Sequence, residues 1–225
     1  AHKGQSGESV RQHNLSTVLR LVHLQGTILR SKITATTGLN RSTVSDLVSE
    51  LSELGLLVEK ETAAPTGVGR PSMAVTATDN IIAISVNPEI DATTVSAVAL
   101  SGRVVIKERR LMRSQPTPDN AIDVASEMIA KMRKELEPGT RIVGVGVSVP
   151  GQVRSSDGVI RFAPQLGWVE SAFAAALSQE TGLPVYLGND ASLGCIAEAR
   201  FGAAQGINDA VFLFAGSGGI GGGVI

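Results

Sequence analysis

Aromatic residues are nearly missing from this chain of 225 residues: one Trp, one Tyr and five Phe make up 3% of it. Its core must therefore be aliphatic. A single cysteine, Cys195, excludes an internal disulfide and a Cys-rich zinc site, and a reducing cytoplasm is the natural setting. Charged residues are 18% with a net charge of −1, which argues against a strongly basic nucleic-acid binder. The longest apolar run, Ala210 to Ile225, falls short of the ~20 residues of a spanning helix and is rich in glycine. No basic segment followed by an apolar one opens the sequence, so no signal peptide is expected. What is present is 43% hydrophobic residues, enough for a real core and too many for disorder. At roughly 150 residues per domain, one large or two smaller domains are allowed.

The charge is uneven. Residues 1–78 hold eight Lys/Arg against six Asp/Glu, and residues 79–225 hold twelve against fifteen. The sequence starts without Met and stops in a glycine-rich stretch, so the chain is expected to be a piece of a longer one.

Residues 1–10 are polar and read as a loose arm. Leu15, Val18, Leu19 and Val22 then mark an amphipathic helix ending at Gly26. Ser31 can cap a short second helix to about Thr37. A Gly38-Leu39-Asn40 turn follows, with Asn40 as N-cap of a third helix. That helix carries Val44, Leu47, Val48, Leu51 and Leu54 on one stripe, with Gly55 as its stop. Residues 56–61 and 73–78 read as strands of a hairpin. Beyond Ile81 come strand candidates at 81–86, 93–100 and 103–110, a helix over 119–135 and a strand at 142–149. A short hairpin follows near Asp157-Gly158, then a helix from Trp168 to about Thr181. A strand at 185–187, a helix at 191–201 and a strand at 210–214 complete the series. Strands alternating with helices predict a mixed or parallel sheet with covered faces.

Three short helices followed by a hairpin outline a winged helix-turn-helix, placed at residues 11–78. The N-terminal end of its third helix would enter the major groove. That end offers Arg41, Ser42, Thr43 and Ser45, with Asp46 as a counterweight that repels phosphate. Ser31 and Lys32 at the start of helix two would meet the DNA backbone. Arg70, at the glycine-rich hairpin tip, suits a narrow minor groove. The plainer alternative is an ordinary three-helix interaction unit with a solvated loop arginine. His13 and His23 have no partner at ligand spacing.

The remainder, residues 79–225, carries unusual strings. Val143 to Gly151 (VGVGVSVPG) is a strand with alternate glycines running into a Pro-Gly turn. Ala163 to Trp168 (APQLGW) puts an amide beside a turn. Leu187 to Ala191 (LGNDA) sets an amide and a carboxylate at the end of a strand, where open α/β sheets bind ligands. Such a pair suits a polyol, and the Asp could take a proton from a sugar hydroxyl. Capping of the next helix is the plainer role for Asn189-Asp190. Gly216 to Gly223 could cradle a phosphate, though glycine-rich turns alone are weak evidence.

Together with Phe201 to Gly206 (FGAAQG), these strings closely resemble the ROK family of repressors and sugar kinases, and residues 11–78 resemble the winged helix-turn-helix of its regulators. The resemblance covers about residues 11–225. It implies an actin-like ATPase (ribonuclease H-like) fold whose first lobe is residues 79–225, with a sugar effector near Gly151, Gln152, Gln165, Asn189 and Asp190. Family members usually show Asn where Gln165 stands. Asp190 matches the catalytic base of the family's kinases. Those kinases carry an Asp-x-Gly-Gly-Thr-Lys-like phosphate loop, and Asn87 to Ala92 (NPEIDA) stands in its place. Pro88 lacks a backbone donor and Glu89 repels phosphate, so phosphoryl transfer should be disabled. The family's zinc-binding segment, its further Glu and His sugar ligands and most of its second lobe would lie beyond residue 225. No metal or cofactor is therefore expected in this stretch.

The leading expectation is a cytoplasmic, sugar-responsive transcriptional regulator of carbohydrate genes, a repressor in particular. It would form a homodimer or higher oligomer that binds double-stranded operator DNA and no membrane. The alternatives are an ATP-dependent sugar kinase and an oligomerisation module that binds neither ligand.

Overall fold

The computed structural model describes residues 7–61, 73–216 and 219–225. The chain divides into two compact units, one of residues 1–81 with 99–103, the other of residues 82–98 with 104–225.

In the first unit, helix α1 (Gly7–Gln25) is followed by strand β1 (Ile28–Leu29) and helices α2 (Arg30–Thr37) and α3 (Arg41–Glu53). Strands β2 (Leu57–Glu61) and β3 (Met73–Ala77) pair antiparallel, and β1 adds to the other side of β3, giving the order β1-β3-β2. The predicted spacing brings Leu15, Val18, Val22, Ile33, Val44, Leu47, Val48 and Leu51 into one core with Ile28, Leu57, Val75 and Ala77. Each Val, Leu or Ile among them contributes about 1.5–3 kcal/mol of burial. Leu54, assigned to the same stripe, is 57% exposed, because the helix is already unwinding at its C-cap. Gly38 closes α2 in the left-handed conformation, with its N–H on the Thr34 carbonyl.

Two expectations are corrected here. Residues 7–10 of the expected arm are the first turn of α1. Ser31 does not cap α2: the helix starts at Arg30, and Leu29, the last residue of β1, stands at the cap without a side-chain hydrogen bond. The ladder to β3 fixes the chain there.

The second unit is built on a five-stranded sheet of order β11-β7-β4-β5-β6. Its strands are β4 (Ile81–Pro88), β5 (Ala92–Ala99), β6 (Val104–Leu111), β7 (Arg141–Val149) and β11 (Val185–Asn189). β5 and β6 form an antiparallel hairpin, whereas β11 runs parallel to β7. Helix α4 (Pro118–Glu135) starts on a Thr117 cap and buries Ile122, Ala125, Met128, Ile129 and Met132. A small antiparallel sheet holds β8 (Gln152–Arg154), β9 (Val159–Ala163) and β10 (Trp168–Ser171), in the order β10-β9-β8. Helices α5 (Phe173–Thr181) and α6 (Asp190–Phe201) follow, and the last pair of strands is β12 (Val211–Gly216) with β13 (Gly219–Val224). The unit is thus α/β, as expected.

The helix predicted from Trp168 begins only at Phe173. Trp168 and Val169 pair instead with Ala163 and Phe162. The Trp168 indole donates to the Pro116 carbonyl at 2.8 Å and stacks on Phe173. The glycine-rich run expected as a loop is largely strand β13. A side chain at Gly221 would meet Ala191, and one at Gly223 would meet Cys195, so glycines let the strand lie flat on α6.

Candidate functional site

Asn40 in the first unit accepts the Thr43 amide at 2.8 Å and the Ser42 hydroxyl at 2.7 Å, fixing the start of α3. No acidic residue lies in the first turn of that helix. Ser31, Lys32, Arg41 and Ser42 are exposed, and Thr43 is half-buried. Ser45 differs from its predicted role as an exposed reader. It is half-buried and accepts a hydrogen bond from Arg30 at 3.1 Å, while the same guanidinium pairs with Glu59. Arg30 thereby ties α2, α3 and β2 together. Sequence reading missed it, because its partners are distant in the chain. Arg70 lies outside the described residues.

In the second unit, the carboxyl ends of β4, β7 and β11 open onto a cleft of about 850 Å³, the place where α/β sheets take ligands. Gly151, Gln165, Asn189 and Asp190 line it; Gln152 does not, and lies exposed on β8. Asn189 ends β11 and caps α6, accepting the Ser192 amide at 2.9 Å. Its amide nitrogen donates to the Gly151 carbonyl at 3.0 Å and to Asp190 at 3.1 Å. One Asp190 oxygen also takes the Ala191 amide at 2.7 Å. The plainer capping role is therefore present, and it also ties the end of β11 to the Pro-Gly turn. Gly151 has φ +129, and a Cβ there would stand 2.3 Å from the Phe162 carbonyl oxygen, so only glycine fits. The Gln165 carbonyl is held by the Gln115 side chain at 2.9 Å.

The Asn87–Ala92 segment spans the end of β4, the turn at residues 89–91 and the start of β5, and its residues 87–91 line the same cleft. The Glu89 amide is spent on the Ala92 carbonyl at 2.7 Å. Its carboxylate accepts from Thr94 at 2.7 Å and Arg109 at 2.9 Å, and Arg109 also reaches Asp91 at 3.1 Å. Burial alone would raise the Glu89 carboxyl, but the hydrogen bonds from Arg109 and Thr94 outweigh it and hold the group below its ordinary value. Arg109 was not foreseen as a partner. The cross-strand register sets it opposite Thr94 and was the available signal. Phe212 and Phe214 of β12 add aromatic lining, with Gly194 of α6 making room for the Phe212 ring.

Among the described residues, no group of three or more His, Cys, Asp or Glu is placed to hold a metal ion. No described helix is long and apolar enough to cross a membrane.

A model described as the ROK family matches residues 85–225. The xylose repressor of Caldicellulosiruptor bescii is 29% identical over 217 residues, covering 96% of this chain and 54% of that protein. The chain thus spans about half the length of this curated relative. A crystal structure described as a ROK family transcriptional regulator, a homologue of the Escherichia coli MLC protein, superposes with a TM-score of 0.71 at 22% identity. It covers 96% of this chain and 55% of that one, a likeness of fold. A ROK family glucokinase from Streptomyces griseus, solved with glucose and AMPPNP, matches 64% of this chain and 44% of that one at 28% identity and a TM-score of 0.56.

Proposed function

This chain belongs to the ROK family, and from that premise we propose that it is the DNA-binding and first effector-binding part of a sugar-responsive transcriptional repressor. The observation that carries the reading is the unit of three helices and three strands ahead of the family-matching residues, with an asparagine-capped third helix that starts on an exposed arginine and has no acidic residue in its first turn. We read residues 11–78 as a winged helix-turn-helix. Arg41 and Ser42 contact base edges, Lys32 and Ser31 the phosphates, and Arg70 the minor groove. Residues 79–225 form the first lobe of an actin-like sugar domain. There the Asn189 amide and the Asp190 carboxylate hold hydroxyls of a sugar, with Gly151 and Gln165 at its rim. The protein works in the cytoplasm as a homo-oligomer on operator DNA. Sugar releases the operator only through unequal affinity for the DNA-competent and DNA-incompetent states.

The test is a gel-shift titration of the full-length protein on DNA from upstream of its own gene, with xylose and glucose as candidate effectors. Arg41→Ala should weaken the complex about tenfold and, if the contact is to a phosphate, lower the salt slope by about one. Unchanged binding removes Arg41 from the interface.

Asp190, matching a kinase base, keeps a second reading alive: ATP-dependent sugar phosphorylation. It calls for sugar-dependent ADP release that Asp190→Asn abolishes. We expect no turnover, because Pro88 and Glu89 stand where a phosphate loop would need donors and positive charge.

A further inference from the structure

The cleft is not neutral toward charge, and this bears on the form of sugar it takes. Three features converge on one property. First, Glu89 and Asp91 put carboxylates on its wall, beside Asp190. Arg109 is the cation paired with the first two, and its guanidinium is divided between them. Among the described residues that line the cleft there is no Lys, Arg or His. Second, the β4–β5 turn is poor in donors. Pro88 has no N–H, and the Glu89 N–H is bound to the Ala92 carbonyl. Third, the start of α6, whose free N–H groups could attract an anion, is filled by the chain itself. Asp190 takes the Ala191 amide and Asn189 takes the Ser192 amide.

We propose that this cleft takes the uncharged, unphosphorylated form of its sugar and excludes the sugar phosphate. The inference rests on the sugar-site reading above and names the ligand's class within it. Hydroxyls can donate to these carboxylates, whereas a phosphate dianion finds acceptors and negative charge where it needs donors. Glu89 lies below its ordinary value because the hydrogen bonds from Arg109 and Thr94 outweigh its burial, so this wall of the cleft is anionic at neutral pH.

Isothermal titration of the full-length protein tests this with matched pairs: xylose against xylose 5-phosphate, and glucose against glucose 6-phosphate. For whichever sugar binds, the phosphate should bind at least about tenfold more weakly. That gap should narrow in 0.5 M salt, as screening requires. It should also narrow in a Glu89→Gln, Asp91→Asn double variant, which leaves Arg109 without its acidic partners. A phosphate that binds as well as its parent sugar overturns the inference and leaves the sugar site standing. A gap that neither salt nor the double variant narrows overturns the electrostatic cause. Binding of no member of either pair removes the reading for these sugars and the inference with it.

Discussion

Helices α3 and α6 start in the same way and end with opposite electrostatics. Each follows an asparagine whose side chain accepts the amide three residues on, Thr43 for Asn40 and Ser192 for Asn189. The next residue is Arg41 in one and Asp190 in the other. An arginine at the positive end of a helix is locally unfavourable, and an aspartate there is favourable. The α6 carboxylate consumes an amide that an external anion could have used. The α3 arginine adds charge for such an anion. The cap sets where a helix begins, and the residue after it decides whether that end remains open to an anionic partner.

The largest effect that would sharpen this contrast lies in the backbone around each cap. Gly38, ahead of Asn40, has φ +71 with nothing within 4 Å of a would-be Cβ, whereas Gly151, bonded to Asn189, is crowded by the Phe162 carbonyl. Gly38→Ala should cost about 1 kcal/mol through strain alone. Gly151→Ala should cost about 3 kcal/mol, because the β7–β8 turn must move. Denaturant unfolding of both variants measures the difference; equal losses would mean the cleft turn is looser than its contacts imply.

The next test can break the contrast outright. Arg41→Asp gives α3 the charge pattern of α6. It should stabilise the first unit by about 0.3–1 kcal/mol while costing about 2 kcal/mol of operator binding. Opposite signs in thermal melts and gel shifts support a functional placement of Arg41. Loss of stability would show that Arg41 serves the fold. A smaller effect separates the caps themselves. Asn40→Ala should cost about 1 kcal/mol, and Asn189→Ala somewhat more, because the Gly151 carbonyl loses its donor too.

Both caps can be read in the sequence, because an Asn between a strand or turn and an apolar period is a local signal. The core of the first unit is legible for the same reason: Val18, Val22, Val44, Leu47 and Val48 keep helical spacing. What escaped depends on partners distant in sequence. Val169, Phe173 and Leu177 keep a helical spacing, yet pairing with β9 makes residues 168–171 a strand. β13 has almost no side chains to carry a period, and its register comes from β12 and the surface of α6. Ser45 falls on the exposed face by helical phase, but Arg30, itself paired with Glu59, donates to it. In the cleft, Asn189, Asp190 and the anionic β4–β5 turn were visible as strings, whereas Arg109 and Gln115 enter through strand register and loop packing.

The smallest predicted effect compares a carboxylate in each unit. Asp79 in the first is held down by the Ser101 hydroxyl, against a burial cost, and by Arg103 at 2.9 Å. Glu89 in the second is pushed up by burial but held down on balance by Arg109 and Thr94. Both lie below their ordinary values of 3.8 and 4.5 in the folded chain. Each therefore adds stability that is fully present above its ordinary value and is lost as pH falls through the lower folded one. Thermal melts between pH 6 and pH 2 should show a shallower acid loss for Asp79→Asn and for Glu89→Gln than for the unmutated chain. Salt separates the two. The Asp79–Arg103 pair is more exposed than the Glu89–Arg109 pair, so 0.5 M salt should weaken the arginine's share more for Asp79 than for Glu89, while the neutral hydrogen bonds from Ser101 and Thr94 persist in each. If salt weakens both equally, Glu89 is screened like a surface acid, and the cleft wall would carry a weaker field than its hydrogen bonds indicate.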